Sequence, residues 1–216
     1  ADFALPYCGR SALDLGTGSG VVLLLLARRC DALKKGVGVE IQRPLWEFAR
    51  RNIVENGFEG RLSAVLGDLR KDLPGLSPRS CDLVVSNPPY RKIGEGRRNP
   101  DPRKEIARHE VACTMADIFA AAGRYLSRQG RFAVVCPSHR LPETFALGAA
   151  AGIVPETVRF VHPYAGSPAN RVLVACSRRK APELTVLPPL VVYSARGRYH
   201  PEVEGIFAGF FRGEGG

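Results

Sequence analysis

Residues 11–29 constrain the fold more than any other stretch of this chain. A short apolar run, Ser11-Ala12-Leu13-Asp14-Leu15, leads without a spacer into Gly16-Thr17-Gly18-Ser19-Gly20, and a second apolar run from Val21 to Ala27 follows. Glycines between a strand and a helix let the backbone turn tightly and pass beneath a ligand at the strand's C-terminal edge. The pattern predicts a buried strand over Ser11–Leu15 and a helix over Gly20–Arg29, with a ligand-binding turn between them.

The rest of the chain repeats that unit. Gly36–Glu40 reads as the next strand. A helix then runs from Pro44, at a first helical position, to the stop at Asn56-Gly57, with Leu45, Phe48, Ala49 and Ile53 as its apolar face. Leu62–Leu66 and Cys81–Ser86 are further strands. Residues 91–114 interrupt the alternation with a Gly-, Arg- and Pro-rich insert, in which Asp101-Pro102 has the form of a helix start. Thr114 and Asp117 form a capping-box pair for a helix burying Ile118, Phe119, Ala122, Tyr125 and Leu126, with Gly130 as its stop. Arg131–Cys136 is a strand, Leu141–Ala151 a helix, and Val154–Val161 and Arg171–Ser177 are strands close enough to form an antiparallel hairpin. Beyond Pro182 the pattern loosens to Pro188-Pro189, a short strand at Leu190–Tyr193 and a Gly-rich end.

Alternating strands and helices imply an α/β fold with helices on both faces of a parallel sheet. The expectation is a Rossmann-like, seven-stranded, mostly parallel sheet ending in an antiparallel hairpin. One domain over 1–216 accommodates it, with 91–114 as an insert and 181–216 as a C-terminal extension. The chain begins without a methionine, its only one being Met115, which leads us to expect a further segment ahead of residue 1.

Composition sets the class of partner. There are 31 Lys and Arg against 21 Asp and Glu, a net charge of +10, concentrated in two stretches. Arg91–Arg108 carries seven basic residues against Glu95, Asp101 and Glu105; Thr157–Tyr199 carries seven against Glu183 alone. Such patches attract a polyanion, and a solvated basic surface is the plain alternative. No apolar run is long enough to cross a bilayer, and the first residues lack a signal-peptide pattern. Six scattered cysteines without a CxxC pair read as reduced core residues of a cytoplasmic protein rather than disulfides or a zinc site. The four histidines show no metal-ligand spacing, so no metal is expected. Nothing in the sequence sets the oligomeric state, and a monomer is favoured.

The candidate binding residues all fall at predicted strand ends. The glycine spacing is GxGxG, with Val21 where a dinucleotide fingerprint would have its third small residue. Dinucleotide sites hold pyrophosphate on the helix N-terminus, whereas Asp14, two residues before Gly16, suits a ligand carrying ammonium and sulfonium charges. Glu40 closes the second strand, twenty residues after Gly20, where a carboxylate can accept both hydroxyls of a ribose. Asp68 follows the third strand, where it can accept an adenine amine. Gly16, Thr17, Gly18 and Gly20 as the loop, with Glu40, Ile41, Asp68 and Leu69 along the next two strand ends, point to S-adenosylmethionine as cofactor.

Asn87-Pro88-Pro89-Tyr90 follows the fourth strand at the same edge. Asn-Pro pairs form turns, and a turn alone would explain them. Methyl transfer to a planar amine would also use them. The lone pair of such an amine is delocalised into its ring; the Asn87 amide oxygen and the Pro88 carbonyl can each accept one N–H, fixing the amine and stabilising the charge that develops. Pro89 stiffens the segment, Tyr90 can stack on a base, and Asn87 also borders the cofactor. A glutamine amide is an equally planar substrate for this tetrapeptide.

The segment NPPYRKIGEGRRNPDPRKEIARHE, Asn87 to Glu110, resembles the tRNA1(Val) adenine-37 N6-methyltransferases of the "methyltransferase small" group. His162-Pro-Tyr-Ala-Gly-Ser-Pro-Ala-Asn-Arg-Val172 and Pro188-Pro-Leu-Val-Val-Tyr193 are similar to two later segments of that family, which has lysines where Tyr164 and Ser167 stand. The resemblance implies a class I methyltransferase acting on the exocyclic amine of a tRNA adenine beside the anticodon. It implies binding roles for Asp14, Gly16, Gly18, Glu40 and Asp68 and catalysis by Asn87, Pro88 and Tyr90; the basic side chains of Arg91, Lys92, Arg97, Arg98, Arg103, Lys104 and Arg171 are, by their charge, the expected RNA contacts. Two alternatives stand beside it: a protein glutamine methyltransferase of the release-factor type, and an RNA-binding protein without catalysis.

Overall fold

The computed structural model describes residues 1–88, 113–180 and 183–211. After a 3-10 helix at Asp2–Tyr7, the chain forms β1 (Ser11–Leu15), α1 (Val21–Arg29), β2 (Lys35–Glu40), α2 (Arg43–Glu55), β3 (Leu62–Leu66) and β4 (Cys81–Ser86). Then follow α3 (Met115–Tyr125), β5 (Leu126–Pro137), α4 (Leu141–Ala150), β6 (Val154–Tyr164) and β7 (Arg171–Ser177). The C-terminal part adds β8 (Thr185–Val186), β9 (Leu190–Ala195), β10 (Arg198–Tyr199) and α5 (Pro201–Phe211).

All these strands belong to one sheet of order β10-β9-β6-β7-β5-β4-β1-β2-β3, with β8 paired to β6. β3, β2, β1, β4 and β5 run parallel, and β7 is antiparallel to both β5 and β6. The expected seven-stranded core with its antiparallel hairpin is therefore present. β8, β9 and β10 extend it past β6 to ten strands among the described residues.

The central strands are buried on both faces, which is why they read as continuous apolar runs rather than alternating ones. Leu13, Leu15, Val84 and Val134 share one core with Phe119 and Tyr125 of α3. Ala12, Leu83, Val85 and Ala133 share the other with Leu23 and Leu26 of α1 and Ile53 of α2. α3 starts as expected: the Thr114 hydroxyl accepts the Asp117 N–H at 3.2 Å, and the Asp117 carboxylate accepts the Thr114 N–H at 2.9 Å. All six cysteines are free, four of them buried.

Three local expectations need correction. Gly130 does not stop α3, which ends at Tyr125; β5 begins at Leu126, and Gly130 lies within it. Its register against β4 shifts between Cys81 and Leu83, and a Cβ on Gly130 would stand 2.7 Å from the Asp82 carbonyl and 2.8 Å from that of Cys81. Phe48 is 48% exposed rather than part of the buried face of α2. The loosened pattern does not hold over Pro201–Phe211, which is the helix α5 and presents Val203 and Phe210 as buried residues. Gly209 lets Arg29 of α1 approach, since a Cβ there would be 2.5 Å from Nη1, and the Arg29 guanidinium sits 5.2 Å from the Phe210 ring centroid. The helix start expected at Asp101-Pro102 lies outside the described residues.

Gly130→Ala forces a methyl group against two backbone carbonyls and is expected to cost about 1–3 kcal/mol. Gly60→Ala, where among the described residues nothing but the chain neighbours lies within 4 Å of the Cβ, is expected to be nearly neutral. Urea unfolding of the two variants measures the difference.

Candidate active site

The order of the sheet reverses between β1 and β4: β2 and β3 lie on one side of β1, β4 and β5 on the other. In open α/β sheets the crevice at the carboxyl ends of two such strands is where ligands bind. Parallel pairing of Leu15 with Ser86 brings their two exit loops side by side. The Ser86 hydroxyl fixes the junction by donating to the Leu15 carbonyl at 2.8 Å in a buried setting. Gly16 leaves from one strand end and Asn87 from the other; Asn87 is exposed and Pro88 buried.

The glycine loop owes its shape to all three glycines. Gly16, Gly18 and Gly20 have φ of +72°, +57° and +83°, values that side-chain-bearing residues adopt only with strain. The Gly16 and Thr17 N–H groups donate to the Val39 carbonyl at 3.0 and 2.9 Å, tying the loop to the end of β2. The Asn52 side-chain amide of α2 donates to the Ser19 carbonyl at 2.9 Å. Thr17 tucks under the loop against Gly38, where a Cβ would come within 2.7 Å of it.

Two buried carboxylates face this loop. Glu40, 5% exposed, accepts the Gly18 N–H on Oε2 at 3.0 Å and the Gln42 N–H on Oε1 at 2.9 Å. Each oxygen keeps a further lone pair, so the carboxylate is oriented by the backbone and still able to accept ribose hydroxyls. Asp14, 1% exposed, accepts the Thr17 hydroxyl at 2.7 Å. Burial pushes its pKa up from 3.8 to about 6, with the Glu40 carboxylate adding to the rise and the Thr17 hydroxyl opposing it.

At the next strand end, Arg70 closes on both oxygens of Asp68, with Nη2 at 2.7 Å from Oδ2 and Nε at 2.9 Å from Oδ1. That pairing holds the Asp68 carboxyl below its usual range. Ile41 is half-buried beside Glu40, and Leu69 is buried beside Asp68. Arg171 opens β7 opposite Pro137, the last residue of β5, and so stands at the same edge of the sheet. Its Nη1 donates to the Asn170 carbonyl at 2.9 Å.

The structure thus brings Asp14, Gly16, Thr17, Gly18, Gly20, Glu40, Ile41, Asp68, Leu69, Asn87, Pro88 and Arg171 to one edge. Pro89, Tyr90, Arg91, Lys92, Arg97, Arg98, Arg103 and Lys104 lie outside the described residues. Sequence reasoning missed Ser86, Asn52 and Arg70. A serine closing the apolar run Leu83-Val84-Val85 was a readable signal for Ser86; the other two depend on tertiary approach. Among the described residues no group of three His, Cys, Asp or Glu side chains is placed to hold a metal. No helix there is long and apolar enough to cross a membrane.

A parallel sheet with this order and a reversed β7, a glycine loop after β1 and an acid closing β2 define the class I methyltransferase fold. The solved structures agree. A predicted O-methyltransferase from Agrobacterium tumefaciens superposes with a TM-score of 0.72 at 20% identity, over 94% of this chain and 91% of that one. A geranyl diphosphate methyltransferase solved with S-adenosylmethionine does so with a TM-score of 0.58 at 16% identity, over 82% and 84%. In sequence, a tRNA1(Val) (adenine(37)-N6)-methyltransferase from Aeromonas salmonicida is 32% identical over 192 residues, covering 88% of this chain and 77% of the relative. Residues 4–154 match the family model of the methyltransferase small domain, and the chain belongs to that family. It is a methyltransferase.

Asp14 favours the folded state while protonated, so its stabilising contribution is complete below pH 3.8 and lost as pH rises through about 6. Asp14→Asn keeps an acceptor for Thr17 and removes the buried charge. At about pH 7 it is expected to raise the Tm of the ligand-free protein, by up to about 3 kcal/mol in stability, and the gain should shrink towards pH 4. Binding of a cationic ligand should weaken in the same variant. Thermal melts at the two pH values, beside calorimetry with S-adenosylmethionine, read both effects.

Proposed function

We propose that the protein transfers a methyl group from S-adenosylmethionine to the exocyclic N6 amine of an adenine in tRNA, beside the anticodon. The observation that carries this reading is the placement of Asn87 and Pro88 next to the glycine loop, through the pairing of Leu15 with Ser86. The Aeromonas salmonicida relative, a tRNA1(Val) (adenine(37)-N6)-methyltransferase by name, supports this substrate class.

The residues at the edge fit the cofactor. Among the described residues nothing but its chain neighbours lies within 4 Å of a Cβ built on Gly16 or Gly18, which leaves that side of the loop room for a ligand. Glu40 would hold the ribose hydroxyls and Asp68 the adenine amine, between Ile41 and Leu69, while Asp14 supplies negative charge beneath a cation. When bound, the cofactor supplies an electrophilic methyl group on a positively charged sulfur. The chain's own contribution is to hold the acceptor: the Asn87 amide oxygen and the Pro88 carbonyl each take one N–H of the amine. That geometry aims the nitrogen lone pair and favours the charge appearing on it. The surplus proton leaves to solvent. Pro89 stiffens this segment and Tyr90 stacks on the base, which must be unpaired to enter.

In this reading 1–216 is one methyltransferase domain, 91–114 its substrate-facing insert and 181–216 a C-terminal extension. Arg91, Lys92, Arg97, Arg98, Arg103, Lys104 and Arg171 meet the phosphate backbone. The protein acts as a metal-independent cytoplasmic monomer.

Incubation with labelled S-adenosylmethionine and total tRNA, followed by nucleoside analysis, is expected to place the label in N6-methyladenosine. Label in a release factor and none in tRNA would replace this reading by the glutamine one. Asn87→Ala should lower kcat by about a hundredfold or more with cofactor affinity nearly unchanged. A fully active variant would reduce the tetrapeptide to a turn.

A further inference from the structure

The strands that extend the sheet past β6 carry an aromatic row. The Tyr164 and Tyr193 rings lie 5.6 Å apart, Tyr193 and Tyr199 stack at 5.2 Å with an 18° interplanar angle, and Phe207 meets Tyr199 edge-on at 5.1 Å. A row built only to fill a core would be buried. Tyr164, Tyr199 and Phe207 are instead 38%, 40% and 43% exposed.

Its position and charge point to an occupant. β9 runs parallel to β6, and β6 and β5 are both antiparallel to the β7 between them. The carboxyl ends of β6 and β9 therefore share the edge at which the glycine loop and Asn87 lie. Tyr164 and Tyr193 pair directly near those two ends, and Tyr199 pairs with Tyr193 across the β9–β10 hairpin. The hairpin turns through Arg196 and Gly197 (φ +74°), so exposed Arg196 and Arg198 flank its tip. Arg171 opens β7, between the strand that follows β4 and the strand carrying Tyr164. With strands about 4.8 Å apart, Tyr164 stands about 14 Å across the sheet from the strand leading to Asn87. Stacked rings flanked by arginines match the two chemistries of single-stranded RNA, flat bases and a phosphate chain.

We propose that the Tyr164–Tyr193–Tyr199 row is a base-stacking platform for unpaired nucleotides of the substrate RNA a few residues from the target adenine. It rests on the tRNA reading above. Stacking on one base contributes about fivefold or more to affinity. Tyr164→Leu and Tyr199→Leu, which keep apolar bulk, are therefore each expected to weaken binding of a labelled anticodon stem-loop RNA about fivefold or more and to raise KM for tRNA equally. The kcat at saturating tRNA, S-adenosylmethionine affinity and Tm should hold, and Tyr199→Phe should retain RNA affinity. Leucine variants that bind and methylate tRNA like the wild type overturn the platform and leave the substrate reading intact. Loss of RNA binding only in step with a fall in Tm, equally in Tyr199→Phe, assigns the row to packing. A wild type that neither binds nor methylates tRNA overturns both proposals.

Discussion

Everything at the functional edge depends on the pairing of β1 with β4. Parallel neighbours end at the same side of a sheet, and β1 and β4 are the pair at which the strand order turns back on itself. Their exit loops can therefore diverge and leave a crevice between them. The Ser86 hydroxyl bonded to the Leu15 carbonyl closes the last step of that pairing without a water. Were the register to slip by one residue, side chains bound for the two opposite cores would exchange faces. Leu83 and Val85 would then face the core that takes Leu13, Val84 would face the one that takes Ala12, and Gly16 and Asn87 would no longer leave together.

The loop is shaped by backbone groups rather than by a ligand. Gly16, Thr17 and Gly18 N–H groups are each taken by a fixed acceptor on β2, either the Val39 carbonyl or the Glu40 carboxylate. An arrangement satisfied in advance spends little on reorganisation when a partner arrives. Asp68 is prepared differently. Its carboxylate is held by Arg70, whose side chain is 40% exposed, so an arriving amine has to share the carboxylate with a salt-bridged guanidinium or displace it.

Much of this was legible in the sequence because the relevant signals are local. The β1-loop-α1 unit, Glu40 closing β2 and the Thr114–Asp117 cap each need only a few consecutive residues to recognise. What stayed hidden depends on approach between distant segments. Gly130 reads as a helix stop until β5 is seen to bulge against β4. The helix at Pro201–Phe211 was not expected, although Val203, Ile206, Phe207 and Phe210 keep helical spacing across Gly205 and Gly209; Gly209 leaves room for the Arg29 guanidinium. The aromatic row is divided among positions 164, 193, 199 and 207, and no window along the chain contains it.

The burial of Asp14 has an effect on the protein's lifetime as well as on its site. A carboxylate stripped of water in the empty loop makes the unliganded chain easier to open, and a cation above it offsets that loss. Proteases act on the opened state in proportion to its population when reclosing is fast. A ligand that binds only the closed loop lowers the opened population by mass action, and with it the rate of cleavage.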